Sequence, residues 1–173
     1  MNPGDHEKMI FDFDFIGIQN YTREVATHRF YIPYLRANLV PASRRKVYHT
    51  SMNGEVYPES IYEMVKKFSQ YKNVRKIIIT ENGASFHDHL QNGTITDIER
   101  INYLGSYLHQ VHKAHQHFEK LKGYFIWSFT DNFEWAEGYT QRFGLVYVDF
   151  NTQQRIPKKS FHWFSHFLQA HKK

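Results

Sequence analysis

Residues 75 to 83 read Arg-Lys-Ile-Ile-Ile-Thr-Glu-Asn-Gly, a β-branched run that ends in one carboxylate and an Asn-Gly turn. Three isoleucines and a threonine in succession, without polar alternation, describe a strand buried on both faces in a parallel sheet. In α/β folds the carboxyl ends of such strands carry the chemistry, because the strand fixes the backbone while the loop opens the side chain to a ligand. Glu81 stands at that end. Taken alone it also fits a solvated carboxylate that keeps the strand end soluble, so the elements around it decide its reading.

Before the run, Pro58-Glu59 opens a helix in which Ile61, Met64, Val65 and Phe68 follow the i, i+3, i+4, i+7 pattern, ending by Asn73. Further upstream Phe11, Phe13 and Phe15 alternate with Asp12 and Asp14 and lead into Ile16-Gly17-Ile18, which predicts a strand ending near Gln19-Asn20-Tyr21. Residues 22 to 57, with Pro33, Pro41 and the Asn53-Gly54 turn signal, read as a long excursion between strand and helix. After Glu81 comes a polar loop over 82 to 96, then a capping box from Thr96 to Glu99. The helix it opens carries Ile101, Leu104, Leu108, Val111, His115 and Phe118 as one stripe, up to about Leu121. Gly123 to Ser128 is the next strand. Residues 143 to 150, a turn at 151 to 153 and a last helix with Phe161, Phe164 and Leu168 complete the chain. Strand and helix alternating in this way predict an α/β fold with right-handed crossovers, a single domain over 1-173 with residues 1-10 as a flexible N-terminus.

The 173 residues are 41% hydrophobic, enough for a core. Aromatic residues make up 17%, which suits a packed core or an aromatic-lined pocket. The net charge of +5 is spread thinly, and the pairs Lys66-Lys67, Lys158-Lys159 and Lys172-Lys173 and the triplet Arg44-Arg45-Lys46 fit solvated surface better than a nucleic-acid site. The twelve histidines show no metal-site spacing, and there is no cysteine for a disulfide or a thiolate ligand, so neither metal nor other cofactor is expected. No apolar segment approaches a membrane span, and a cytoplasmic location is the expectation.

The second informative segment is Trp127-Ser-Phe-Thr-Asp-Asn-Phe-Glu-Trp135, which continues to Arg142-Phe-Gly144. Aromatic faces beside carboxylate and amide groups suit a sugar, whose C–H faces lie flat on rings while its hydroxyls need charged acceptors. Taken in order, Phe15-Ile-Gly-Ile-x-x-Tyr21, Ile79-Thr-Glu81-Asn-Gly, Trp127-Ser-x-x-Asp-Asn-Phe-Glu134-Trp135 and Arg142-Phe-Gly-Leu-Val-Tyr-Val-Asp149 resemble glycoside hydrolase family 1, the β-glucosidases and 6-phospho-β-glycosidases. The resemblance covers the chain from Phe11 to the last helix. It implies a partial (β/α)8 TIM barrel, its last three strands and their helices.

By that resemblance Glu81 is the nucleophile that attacks the anomeric carbon, and Tyr21 hydrogen-bonds its carboxylate. Glu134 and Trp135 meet hydroxyls at the far rim of the sugar, Trp127 supplies a stacking floor and Phe143 an apolar wall. Gln19 stands where the family usually has Asn, preserving the amide with a longer reach. Similar enzymes for phosphorylated sugars carry Ser at the Glu134 position, whereas a carboxylate repels phosphate. The implied substrate is therefore an unphosphorylated β-linked glucoside, galactoside or fucoside. The family's acid/base Glu lies in an Asn-Glu-Pro motif, and no such tripeptide occurs in this sequence. A retaining glycosidase needs two carboxyl groups, so little turnover is expected from this chain alone. A complementary N-terminal half-barrel chain or a homo-oligomer is expected to cover its sheet edges. The competing expectation is a non-catalytic carbohydrate-binding or interaction fragment.

Overall fold

Within the isoleucine run, Ile77 and Ile79 are wholly buried, and Ile78 and Thr80 are partly covered on the other face. Both faces of this strand are therefore dry enough for β-branched side chains to be favoured throughout. The computed structural model describes residues 2–9 and 11–172. In chain order they form α1 (Asp5–Met9), β1 (Ile16–Gln19), β2 (Ala26–His28), β3 (Ala37–Leu39), α2 (Glu59–Ser69), β4 (Ile77–Asn82), β5 (Leu90–Gln91), β6 (Thr94–Ile95), α3 (Ile98–His117), β7 (Leu121–Ile126), β8 (Val146–Val148), β9 (Arg155–Pro157) and α4 (Lys159–Ala170).

β1, β4 and β7 make a three-stranded parallel sheet in the order β1-β4-β7, with β4 in the middle. The crossovers β1–α2–β4 and β4–α3–β7 place α2 and α3 side by side against it. Ile61 and Val65 of α2, Tyr103, Leu104, Tyr107 and Ala114 of α3, and Ile18, Ile77, Ile79 and Leu121 of the sheet form one buried cluster. Each fully buried Ile or Leu there contributes about 1.5–3 kcal/mol by leaving water. The fold is thus a partial α/β barrel, an arc of three strands backed by helices.

The excursion over 22–57 is folded. β2 and β3 pair as an antiparallel hairpin, and the following turn is locked by Glu55, whose buried carboxylate accepts from Arg23 Nε at 2.9 Å and from Arg45 Nη1 at 2.6 Å. The Arg23 hydrogen bond, helped by Arg45 and opposed by burial, holds the Glu55 carboxyl below its ordinary range. The polar loop after Glu81 likewise contains a small hairpin, β5–β6.

The start of β1, the Thr96–Glu99 cap, the α3 stripe and the setting of Lys158 differ from expectation. β1 starts at Ile16, not at Phe11; Phe11 is 77% exposed and Phe15 48%, because the segment before Ile16 runs over the surface with Asp12 salt-bridged to Arg75. The Thr96–Glu99 capping box does not form. Asp97 occupies the cap position without capping and turns its carboxylate to Arg100 and Ser160, while Glu99 accepts from the Tyr48 hydroxyl at 2.9 Å. The covered stripe of α3 runs through Arg100, Tyr103, Leu104, Tyr107, Leu108, Val111 and Ala114; His115, at the edge of that stripe in the last turn, is exposed, its Nδ1 3.2 Å from the Leu121 carbonyl oxygen. Lys158, expected at the surface, is fully buried among carboxylates. The expected flexible segment 1-10 includes Met1 and Ile10, which lie outside the described residues; between them α1 forms one helical turn.

Candidate active site

Parallel pairing sets Gln19 of β1 opposite Glu81 of β4, with a register shift between Ile18 and Gln19. The shift brings the Asn20 N–H to the Glu81 carbonyl at 3.2 Å and lets the next residue, Tyr21, turn its ring over the strand end. The Tyr21 hydroxyl donates to Glu81 Oε2 at 2.6 Å, the short distance of a charge-assisted bond. Burial, the hydrogen bond to Glu81, and the Glu81 and Glu134 charges raise the pKa of Tyr21 well above its ordinary value. Its phenol is therefore a fixed proton donor at neutral and moderately alkaline pH.

Beneath this pair, Asn82 is wholly buried and spends both ends of its amide. Its Nδ2 donates to the Asn20 carbonyl at 2.8 Å and to the Tyr103 hydroxyl at 3.0 Å, and its Oδ1 accepts from the Tyr124 hydroxyl at 2.7 Å. Tyr103 and Tyr107, stacked with ring centroids 4.2 Å apart, each donate to the Tyr21 carbonyl, at 3.1 and 3.0 Å. Burial pushes the Tyr103 phenol well up, so this scaffold also keeps its protons. Three strand ends and α3 thus fix the backbone on either side of the Tyr21–Glu81 contact.

At the end of β7 the Trp127 N–H donates to the Asn82 carbonyl at 2.9 Å, laying Trp127 beside the end of β4, and a cis peptide joins Trp127 to Ser128. Close approach makes Gly83 obligatory, since a Cβ there lies 1.6 Å from the Trp127 carbonyl oxygen. Farther along the loop Glu134 is partly covered, and its Oε2 is buried without a hydrogen-bond partner. An uncompensated carboxylate oxygen is costly inside a protein, and a ligand hydroxyl is a fitting partner for it. Trp135 is 81% exposed, and Phe143 meets the Tyr21 ring edge-to-face at 6.2 Å.

All seven residues singled out from the sequence, Gln19, Tyr21, Glu81, Trp127, Glu134, Trp135 and Phe143, line one open cavity of about 490 Å3. That volume suits a small polar ligand. Sequence reasoning missed Thr22, Glu24, Met52 and Asn53, which reach the same cavity from the excursion after β1. Local pattern marks Asn53 only as a turn residue, because the ion pair that brings these segments together joins Glu55 to Arg23, 32 positions away in sequence. Tyr103 and Tyr107 left a signal, two tyrosines four apart on a helix whose covered stripe they share. No group of three His, Cys, Asp or Glu among the described residues is placed to hold a metal ion.

The family model for glycosyl hydrolase family 1 matches residues 1–173. A 1,4-β-D-glucan glucohydrolase of Thermotoga neapolitana is 42% identical over 166 residues, which take in 95% of this chain and 36% of that protein. A 6-phospho-β-galactosidase of Streptococcus mutans is 44% identical over 116 residues, 66% of this chain and 25% of that protein. The solved structure of a family 1 β-glucosidase from Thermotoga maritima superposes with a TM-score of 0.84 at 42% identity, covering 90% of this chain and 34% of that one. The chain therefore spans about a third of the length of the glucohydrolase and of the solved β-glucosidase.

Proposed function

The chain belongs to glycosyl hydrolase family 1, and from that premise we propose that its cavity is the nucleophile side of a retaining β-glycosidase site. The observation that carries the reading is the 2.6 Å contact between Tyr21 and Glu81 on the wall of a cavity that also collects Trp127, Glu134 and Trp135. Glu81 attacks the anomeric carbon of a β-linked sugar, the bond to the leaving oxygen breaks with its electrons going to that oxygen, and a covalent glycosyl-enzyme forms, which water then hydrolyses. Tyr21 holds the carboxylate in line and stabilises its charge before attack. Trp127 stacks on the sugar face. Glu134 Oε2, buried and without a partner, accepts from rim hydroxyls, beside the Trp135 indole. Gln19 and Phe143 complete the walls.

The substrate we favour is an unphosphorylated β-glucoside or β-galactoside. Although one relative is named for a phosphorylated sugar, a carboxylate at 134 is repelled by a phosphate dianion at the same rim. The second carboxyl group of a retaining pair has no Asn-Glu-Pro to carry it in this sequence. Without general acid help the rate falls by on the order of 10² to 10⁴, so turnover by these residues alone is slow or nil. The outer sides of β1 and β7 carry no strand among the described residues, and Phe125 in β7 and Phe129 just after it are exposed. Those edges support a complementary N-terminal half-barrel, or further copies of this chain, as the missing wall. No helix among the described residues is long and apolar enough to cross a membrane.

The test is a 2-deoxy-2-fluoro-β-glucoside with a reactive leaving group, which needs no acid catalyst to depart. Intact-mass and peptide analysis should find one fluoroglucosyl label on Glu81. No label, even with the complementary half of the barrel added, sinks the assignment. Sugar binding that survives Glu81→Gln but not Trp127→Ala, without labelling, identifies a carbohydrate-binding fragment instead.

A further inference from the structure

Behind the cavity lies a set of charges that the proposed chemistry does not use. Asp88, Asp97 and Asp131 face Arg100, Arg142 and Lys158, three carboxylates against three cations. The central member is Lys158, whose side chain is fully buried and whose ammonium bridges Asp88, on the loop after β4, and Asp131, on the loop after β7, the latter at 2.9 Å. A lone buried ammonium is very costly, and burial together with the Arg100 charge lowers its pKa against the pull of the two carboxylates. Lys158 sits just before α4, and its own N–H donates to the Leu145 carbonyl at 3.0 Å.

Asp131 is the other half of the device. Its side chain is wholly buried, its Oδ1 accepts from the Gly144 N–H at 2.9 Å as well as from Lys158, and its Oδ2 accepts from Arg142 at 3.2 Å. It therefore pins the outgoing limb of the β7 loop to the returning limb, and backbone pairs from Leu145 to Ser128 and from Val146 to Phe129 zip the two together. Gly144 is required there, since a Cβ lies 2.2 Å from the Asp131 nitrogen. Glu134 and Trp135 stand on the arch that this closure defines, three and four residues beyond Asp131. The anchor on the other side, Asp88, follows Glu81 on the β4 loop and is held by Arg100 as well.

We propose that Lys158 is a positioning residue, tying the loop that follows Glu81 to the arch that carries Glu134 and Trp135 and so setting the spacing between nucleophile and sugar rim. Its sugar-binding consequence rests on the glycosidase reading; the tie itself does not. The alternative is that Lys158 only neutralises buried charge. Removing the ammonium leaves three carboxylates with two guanidinium groups, so a charge-balancing role is restored by neutralising one carboxylate, whereas a tie is not.

The experiment compares the unsubstituted chain with Lys158→Met, Lys158→Met/Asp88→Asn and, in case the single variant does not fold, Lys158→Arg. Hydrogen exchange is read over 84–90, over 128–146 and, as an internal reference, over 77–82 and 100–117. NMR titration with methyl β-D-glucoside, followed at the indole N–H signals, gives the sugar affinity. For a tie, exchange rises about tenfold in both loops but not in the reference segments, and it stays raised in the double variant although its melting temperature recovers. Glucoside affinity then falls about tenfold, with no further loss when Lys158→Met is added to Glu134→Ala. Full recovery of loop protection in the double variant, or in Lys158→Arg exchange raised equally in the reference segments, overturns the proposal. If the unsubstituted chain binds no glucoside, the sugar-positioning role falls with the glycosidase reading, and the exchange data still decide the tie.

Discussion

Tyr21 and Glu81, sixty residues apart in the chain, meet at 2.6 Å because β1 and β4 are parallel neighbours whose ends are offset by one register shift. The contact joins a phenol that keeps its proton to a carboxylate on the cavity wall, with the Tyr21 carbonyl held from below by Tyr103 and Tyr107.

Tyr21→Phe removes one charge-assisted hydrogen bond, a loss of about 1.5–3 kcal/mol of carboxylate stabilisation and orientation. Labelling of Glu81 by a fluoroglucoside should slow by about 10- to 100-fold, with the melting temperature lowered by several degrees. Because the Tyr21 pKa is raised above its ordinary value of about 10, the labelling rate of the unsubstituted chain should show no step at that pH. A step near pH 10 counts against the buried donor.

Gly83→Ala should be among the most damaging substitutions in the chain. The added methyl collides with the Trp127 carbonyl, a backbone atom on a neighbouring strand end that cannot rotate away. A loss of about 3 kcal/mol is expected in urea unfolding, whereas Gly93→Ala, which has no atom within 4 Å of its Cβ, should lose only the cost of its positive φ.

Glu55 anchors the turn that brings Thr50, Met52 and Asn53 to the cavity. Its carboxyl is held below the ordinary range by Arg23 and Arg45, so its contribution to stability is complete above the unfolded-state value of about 4.3 and is lost as pH falls through the lower folded value. Amide exchange over 50–56, corrected for intrinsic rates, should be flat from neutral pH to about 5 and rise below about 4. Glu55→Gln should abolish the acid step and leave the turn loosened at neutral pH.

Glu134→Gln keeps the shape of the rim and removes its charge. Affinity for methyl β-D-glucoside should drop by about tenfold, and discrimination against glucose 6-phosphate, measured as a ratio of dissociation constants, should shrink. An unchanged ratio removes Glu134 from substrate selection.

The three-strand plan was open in the sequence because each element declared itself locally. The isoleucine run, the 61–68 stripe and the Gly123–Ser128 segment need only near neighbours to be read; the first two lie in the expected elements, and the third overlaps β7, which starts earlier at Leu121 and ends at Ile126, leaving Trp127 and Ser128 in the loop. Where local pattern misled, a distant partner had intervened. The Thr96–Glu99 capping box lost its Asp97 neighbour to Arg100 and Ser160, and the alternating phenylalanines before Ile16 found no partner strand.

From sequence alone came the set of residues gathered around the cavity, since Glu81, Tyr21, Trp127, Glu134 and Trp135 stand in motifs that resemble those of the family. Only the tertiary structure decided how they are held. Lys158 reads as half of a surface lysine pair until the fold surrounds it with Asp88 and Asp131, and Gly83 reads as a turn glycine until Trp127 closes on it. The physical reason is the same in both cases. Burial and electrostatic pairing depend on which segments are brought together across the sheet, and that is a property of the packed chain rather than of any stretch of it.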